Sequence, residues 1–432
     1  MRVILSSSGH NHSFQTALAL HEAGILEKFV TGIYDDPTRL RIRAIEAAIR
    51  RFGSEEDGLR LAGRRVSGLP PSSVVSLVAS EIVNQVWPRL PGLRAAVPVS
   101  TITHLRNELF DLQVASRHLG GCDVFHGFEQ CAKYSLRRAR GNDMATVLDE
   151  PIIHRALLDQ TEEEVRGELG VPALRRAPGY QMHIDRKYAE LELSDYLFVG
   201  LRFVKDSFVA EGYPEDQIFV IPYGADTSRF RTRDRTALEG PLRILFVGQI
   251  SWFKGLHQLL DVFEALPIDA TLTVIGSVHQ EWKPYFEGRF SSMSRPVNYL
   301  RTVPNLEMMK HFDEADVLAF PSLVGGIGLA VYEAMASGLP VVTSDGDVVI
   351  RDGVDGLVAP AGDNDAWIHA LVRLHDEPEL RSRLGDRAAE RIRDFTWSSY
   401  RRGVREAYQR IDGYTGAADR PAEPPRSGGR DA

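Results

Sequence analysis

The chain has 432 residues, of which 43% are hydrophobic and 25% charged, and a formal net charge of −8. That length and composition suit a soluble globular protein of two ordinary domains, each able to bury its own core. The acidic balance argues against nucleic acid as the main partner, and two cysteines, Cys122 and Cys131, make no disulfide framework and read as core fillers in a cytoplasmic protein.

Residues 2–5 predict a first strand and 6–12 its polar loop. Neither a signal-peptide core nor a cleavage site is legible there. Phe14, Leu18 and His21 lie along a helix that stops near Gly24, and 29–34 predict a second strand. Strand, helix and strand at this spacing imply a parallel α/β sheet, whose ligand crevice lies outside the C-terminal strand ends. The first loop is therefore placed to meet a substrate. Its His10-x-His12 pair has no carboxylate or cysteine beside it in the sequence and reads as a polar loop or substrate contact, not a metal site.

Residues 38–66 carry Arg39, Arg41, Arg43, Arg50, Arg51, Arg60, Arg64 and Arg65, with Ile45, Ala48, Ile49 and Phe52 at helical spacing. Two readings stand: a solvated helix docked on the domain and offset by Glu55, Glu56 and Asp57, or a basic amphipathic helix on an anionic membrane face. Residues 67–98, rich in Pro, Gly and Ser, form an excursion from the sheet. The most apolar stretch, 74–87, is interrupted by polar residues, and no run reaches the ~18 residues that span a bilayer.

A helix over 101–119 precedes strands at 123–127 and 144–148. Their ends deliver His126, Asp149, Glu150 and His154 to the same crevice. For Asp149 or Glu150 the plain alternative is a helix cap or a solvated turn. Further helices and strands run to 217–230, and the charged, turn-rich residues 232–240 read as an interdomain linker.

A second domain begins with a strand at 242–247 and a loop at 248–255. Lys254 stands at the N-terminal end of the helix marked by Leu256, Leu259, Leu260 and Phe263. A cation there opposes the helix dipole, and a shared diphosphate removes the conflict. A solvent-exposed lysine is the alternative. Residues 316–343 read as strand, glycine loop, helix and strand, with Gly338 and Pro340 ending the helix. Gly326 and Gly328 allow a ligand close to the backbone, and the helix behind them offers free N–H groups to an anion. Glu333, one turn further, can accept hydrogen bonds from two neighbouring hydroxyls, as on a ribose. Two helices follow within 377–410, and 413–432 has the composition of a disordered tail.

The segment GIGLAVYEAMASGLPVV resembles the donor-binding segment of family 4 glycosyltransferases, which are retaining enzymes of the GT-B fold. It matches their pattern at Gly326, Gly328, Leu329, Glu333, Ala334, Met335, Ala336, Gly338, Pro340, Val341 and Val342. Residues 217–230 are similar to the run that closes the N-domain in that family. Residues 248–255 are similar to G-R/Q-x-x-x-x-K-G, with Gln249 where many members have arginine, and 351–358 to R-D-G-V-x-G-L-V. The family's first glutamate of E-x7-E, a donor-sugar contact, falls on Gly325, so sugar selection stays open.

This resemblance implies an α/β protein of GT-B type, with two Rossmann-like doubly wound domains facing across a cleft. The acceptor domain spans 1–231, the donor domain 241–395, a closing helix 396–412 crosses back, and 413–432 is a tail. The implied donor site comprises Gln249, Lys254, Val303, Gly326, Ile327, Gly328, Leu329 and Glu333, with the base near Val303 and the ribose on Glu333. His126, Asp149 or Glu150 would orient the sugar or the attacking hydroxyl. The implied reaction moves a sugar from a nucleotide-diphosphate sugar to an acceptor hydroxyl with retention, without metal or other cofactor. Asp345-Gly346-Asp347 looks like the metal motif of another glycosyltransferase fold, but its position inside family 4-like sequence sets that aside. The acceptor is a saccharide, a lipid-linked molecule or a small molecule, in the cytoplasm or at the inner membrane face through 38–66. Two alternatives remain, a silent GT-B-like subunit, which Gly325 favours, and another GT-B enzyme such as a nucleotide-sugar epimerase.

Overall fold

The structure is a computed structural model that describes residues 1–9, 12–34, 66–78, 80, 99–172, 180–227, 230, 232, 240–324, 328–344 and 349–412. His10, the arginine-rich stretch up to 65, Gly325, Gly326, Ile327, Asp345-Gly346-Asp347, most of the expected linker and the tail from 413 lie outside the described residues.

Among the described residues the first domain is built on seven strands: β1 (Val3–Ser7), β2 (Leu26–Thr31), β3 (Val74–Ser76), β4 (Val124–Phe128), β5 (Ala145–Asp149), β6 (Tyr196–Val199) and β7 (Ile218–Val220). They run parallel in the order β3-β2-β1-β4-β5-β6-β7. The central strands are buried along their whole length, as strands covered on both faces must be. The second strand begins earlier than 29–34 because Leu26 already pairs with Val3.

Helices α1 (Ser13–Glu22), α2 (Val99–Arg117), α3 (Lys133–Gly141), α4 (Arg155–Leu169), α5 (Tyr180–Glu192) and α6 (Arg202–Ala210) cover this sheet. Helix α3 starts at Ala132, which has no side chain to cap it. Two buried carboxylates from other helices do that work. Asp111 accepts from the backbone N–H of Tyr134 (2.8 Å) and Ser135 (3.0 Å), and Glu190 from those of Ala132 (2.9 Å) and Lys133 (3.1 Å). Arg186 on α5 pairs with both of them and with Glu108, which locks α2, α3 and α5 together. Burial still pushes the Glu190 carboxyl up to about 7.

The second sheet holds β8 (Leu242–Val247), β9 (Ala270–Ile275), β10 (Val297–Leu300), β11 (Val317–Phe320), β12 (Val341–Thr343) and β13 (Leu357–Val358), parallel in the order β10-β9-β8-β11-β12-β13. Its helices are α7 (Leu256–Ala265), α8 (Lys283–Ser292), α9 (Asn305–Glu314), α10 (Leu329–Ala336), α11 (Asn364–Asp376) and α12 (Pro378–Arg391). Arg243 donates to both carboxylate oxygens of Asp316 (2.7 and 3.0 Å), which ties β8 to β11. In each sheet the strand order reverses once, between β1 and β4 and between β8 and β11. Ligands of doubly wound folds sit at such reversals.

Helix α13 (Trp397–Ile411) returns to the first domain and packs along α1. Its buried face carries Tyr400, Val404, Tyr408 and Ile411. The Tyr400 hydroxyl lies 2.8 Å from Thr16 Oγ1, and Arg401 and Arg405 pair with Glu22. At the crossing, Ala225 N–H donates to the Phe395 carbonyl (3.0 Å). Gly224 lies so close that a Cβ there would sit 2.3 Å from the Trp397 nitrogen, so no larger residue fits. Among the described residues no helix is long and apolar enough to cross a membrane.

Candidate functional site

On the second domain the site grows from the two strands that flank the reversal. After β8 the chain forms a tight turn, Trp252–Lys254, closed by Gly255 at φ +67°. The turn is tied to the chain leaving β11, because Leu323 N–H donates to the Phe253 carbonyl (2.9 Å). Half-buried Lys254 places its ammonium 4.9 Å from the centre of the Phe320 ring, a cation–π contact at the last residue of β11.

Gly328 caps α10 in an extended conformation, with no side chain to satisfy the first N–H groups. A Cβ on Gly328 would meet the same Phe320 ring at 3.2 Å, and one on Gly248 would meet it at 3.9 Å. Phe320, itself buried, is thus the floor on which the β8 loop, Lys254 and the start of α10 converge. A cation and a helix N-terminus side by side form a site for an anion.

The other expected residues fall around this floor. Gln249 is exposed beside it. Leu329, the first residue of α10, is half exposed although apolar, and Glu333 is half-buried one turn further along the helix. Val303 follows β10, two strands away from β8, and packs against the inner core of this domain. Gly326 and Ile327 lie outside the described residues.

On the first domain the loop ends after β1, β4 and β5 meet. His12, just before α1, donates to Asp149 Oδ1 (2.9 Å), and its ring packs on Tyr223 (centroids 4.6 Å apart) and Phe128 (5.1 Å). Glu150 is buried beside Glu129 and Lys187. Lys187 Nζ lies 2.6 Å from Glu129 Oε2 and 3.9 Å from Glu150 Oε1. Burial first, and then the Glu129 carboxylate, raise the Glu150 carboxyl well above its usual range. Burial works against the Lys187 charge, yet Glu129 and Glu150 outweigh it and raise that pKa.

His126 is placed differently from its neighbours. It has no exposed surface, its Nδ1 lies 2.9 Å from the Tyr408 hydroxyl on α13, and burial lowers its pKa to about 4. It stands inside the core behind Phe128, with which it stacks, rather than on the crevice wall. His154 caps α4, accepting from Ala156 N–H (3.3 Å). Among the described residues no three histidines, cysteines or carboxylates stand together as metal ligands would.

Sequence reasoning did not foresee the pairing of His12 with Asp149, nor Glu129 with Lys187. The first pair is 137 residues apart in the chain and is brought together only because β4 is flanked by β1 and β5. The one signal available was position, since His12 follows β1 and Asp149 ends β5.

Residues 241–377 match the family model described as "Glycosyl transferases group 1". The chain is 31% identical over 204 residues to the amylovoran biosynthesis glycosyltransferase AmsK of Erwinia amylovora, covering 44% of this chain and 49% of that one. It is 30% identical over 217 residues to the D-inositol 3-phosphate glycosyltransferase of Nocardia farcinica, covering 46% and 48%. The chain therefore spans about half the length of the curated relatives it matches. Among solved structures it is similar to the sucrose-phosphate synthase of Thermosynechococcus elongatus, with a TM-score of 0.59, 17% identity and coverage of 96% and 99%. It is also similar to Anabaena HepE in complex with UDP, with a TM-score of 0.60, 13% identity and coverage of 95% and 100%. The fold is GT-B, with two Rossmann-like domains facing across a cleft.

Proposed function

We propose that this chain is a hexosyltransferase that moves a sugar from a nucleotide-diphosphate sugar to an acceptor hydroxyl, with retention and without a metal. The observation that carries this reading is the convergence of Lys254, Gly248 and Gly328 on Phe320 at the start of α10. The match of residues 241–377 to group 1 glycosyl transferases supports it, as do the relatives named for glycosyl transfer.

In the reaction, the bond from the anomeric carbon to the β-phosphate oxygen breaks and a bond to the acceptor oxygen forms. The acceptor proton leaves, and a nucleoside diphosphate is released. Negative charge grows on that leaving group, so fixed donors aimed at it stabilise the transition state more than the ground state. Lys254 and the first N–H groups of α10 fill that role, assisted by Gln249 and by Gly326 and Ile327. Glu333 holds the ribose and the backbone near Val303 the base. From the opposite domain, Asp149 with His12, and Glu150 with Lys187, orient the sugar and the attacking hydroxyl. His126 supports that wall from behind through Tyr408.

The test is transfer itself. The protein is incubated with UDP- and GDP-sugars and a panel of polyol, saccharide and lipid acceptors, with a chelator present, and the product's anomeric configuration is read by NMR. Acceptor-dependent release of nucleoside diphosphate with retained configuration supports the proposal. Donor binding without turnover points to a silent subunit, a reading that Gly325 favours. Conversion of free donor without acceptor points to an epimerase.

A further inference from the structure

The two domains meet not only where 224–225 cross 395–397. Helix α4 of the first domain also packs against the Trp252–Lys254 turn of the second. On α4, Arg166 lays its guanidinium over the indole of Trp282, 4.6 Å from the ring centre, and both side chains are buried. The guanidinium is held by its own domain. Nε and Nη2 donate to Glu162 Oε1 (3.0 and 2.6 Å) one turn back on α4, and Nη1 donates to the Pro172 carbonyl (3.1 Å). Those bonds lie in the guanidinium plane and leave its face for the ring. Trp282 belongs to the second domain and stands after β9 among Tyr285 and Phe286. Val165, Trp252 and Trp282 share one continuous apolar cluster.

We propose that Arg166 is a positioning residue for the donor site, acting as a latch that holds the cleft in its closed arrangement. The nucleotide arm of this inference rests on the donor-site reading above. The interdomain contact does not.

A buried guanidinium over tryptophan is among the stronger cation–π contacts, and opening the cleft would strip the ring from the cation. The contact therefore exists in one arrangement of the domains and biases a two-state closure. Helix α4 is capped by His154, five residues after Asp149, and reaches the turn that carries Lys254. It is a rigid strut from the carboxylate wall of one domain to the lysine loop of the other. A ligand that needs Lys254 in place binds in proportion to the closed population, so losing the latch weakens binding without touching any ligand contact.

The test places spin labels at Arg202→Cys and Lys310→Cys, both exposed, in a Cys122→Ser background, and measures the interdomain distance by double electron–electron resonance. UDP and GDP are titrated in parallel. Arg166→Met, which keeps the apolar stem and loses the charge, should lengthen and broaden the distance distribution. It should also weaken the bound nucleotide about tenfold, within the range usual for coupled sites. Trp282→Phe, which keeps an aromatic face, should preserve most of both. An unchanged distribution and unchanged affinity in folded Arg166→Met would overturn the latch. If Arg166→Met does not fold, Arg166→Lys decides by the same two readouts, with partial broadening expected. If the unmutated protein binds neither nucleotide, the donor-site reading fails and the distance measurement still judges the latch.

Discussion

Gly255→Ala tests how the lysine loop is built. Gly255 sits at φ +67°, both closing the Trp252–Lys254 turn and starting α7. An alanine there has two separate costs. The left-handed backbone costs about 1–2 kcal/mol for a residue with a Cβ. The Cβ would also lie 1.8 Å from the Pro321 carbonyl oxygen and 2.7 Å from its carbon, a clash with backbone that only a shift of the turn relieves. Such overpacking costs about 1–3 kcal/mol. Together they predict a loss of about 2–5 kcal/mol, on the order of 10 °C in the midpoint of thermal unfolding. The shift would also strain the bond from Leu323 to Phe253 and lift Lys254 off Phe320, so nucleotide binding should fall with it. Gly353→Ala is the control. Its φ of +70° is nearly the same, but nothing lies within 4 Å of the added Cβ, so only the backbone cost of about 1–2 kcal/mol applies. Calorimetry of both variants, with and without nucleotide, decides. Equal losses in the two, or full nucleotide stabilisation retained in Gly255→Ala, would refute the reasoning.

Burial lowers the pKa of both His126 and His257 from 6.5 to about 4. Both are neutral in the folded protein, so the stability they carry is complete above pH 6.5 and is lost as pH falls toward 4, by about 3 kcal/mol for each group. Denaturant titrations between pH 7.5 and 4.5 should show this slope, and His257→Leu, which removes a buried ring whose Nδ1 has no hydrogen-bond partner among the described residues, should flatten part of it. Tyr408→Phe leaves His126 without its 2.9 Å partner and should cost about 1–3 kcal/mol, read as a lower unfolding midpoint. An unchanged midpoint would mean that the bond does not hold α13 to the sheet. Asp111→Ala strips Arg186 of a buried partner and α3 of a cap, and should cost about 3–5 kcal/mol by chemical denaturation.

Much of the loop and helix around Phe320 on the second domain was legible because it is local. Lys254 and Gly255 are adjacent, and the loop, helix and strand from 328 to 343 lie within one βα unit whose glycines and apolar runs follow its geometry. What joins these pieces is Phe320, which looks in the sequence like one more strand residue. Only the parallel pairing of β8 with β11 turns it into a shared floor. The cluster on the first domain was less legible because its contacts are non-local. Asp149 ends β5, whereas His126 lies in the middle of β4, where alternation along the strand turns it toward α13 and into the core. A helix more than 280 positions later in the chain decides that environment. Glu150 showed itself as a carboxylate at a strand end, but its partners Glu129 and Lys187 come from the β4 loop and α5, which no spacing rule connects.

Binding of the nucleotide to Lys254 and Glu333 tests the account most directly. Thermal unfolding of the unmutated protein, Lys254→Ala and Glu333→Ala is followed with UDP, GDP, ADP and dTDP, without added metal. One nucleotide at a hundredfold excess over its dissociation constant should stabilise the unmutated protein by about 3 kcal/mol, and both variants should lose that gain while remaining folded. No gain with any nucleotide, or the same gain in all three proteins, would contradict a donor site built on Phe320.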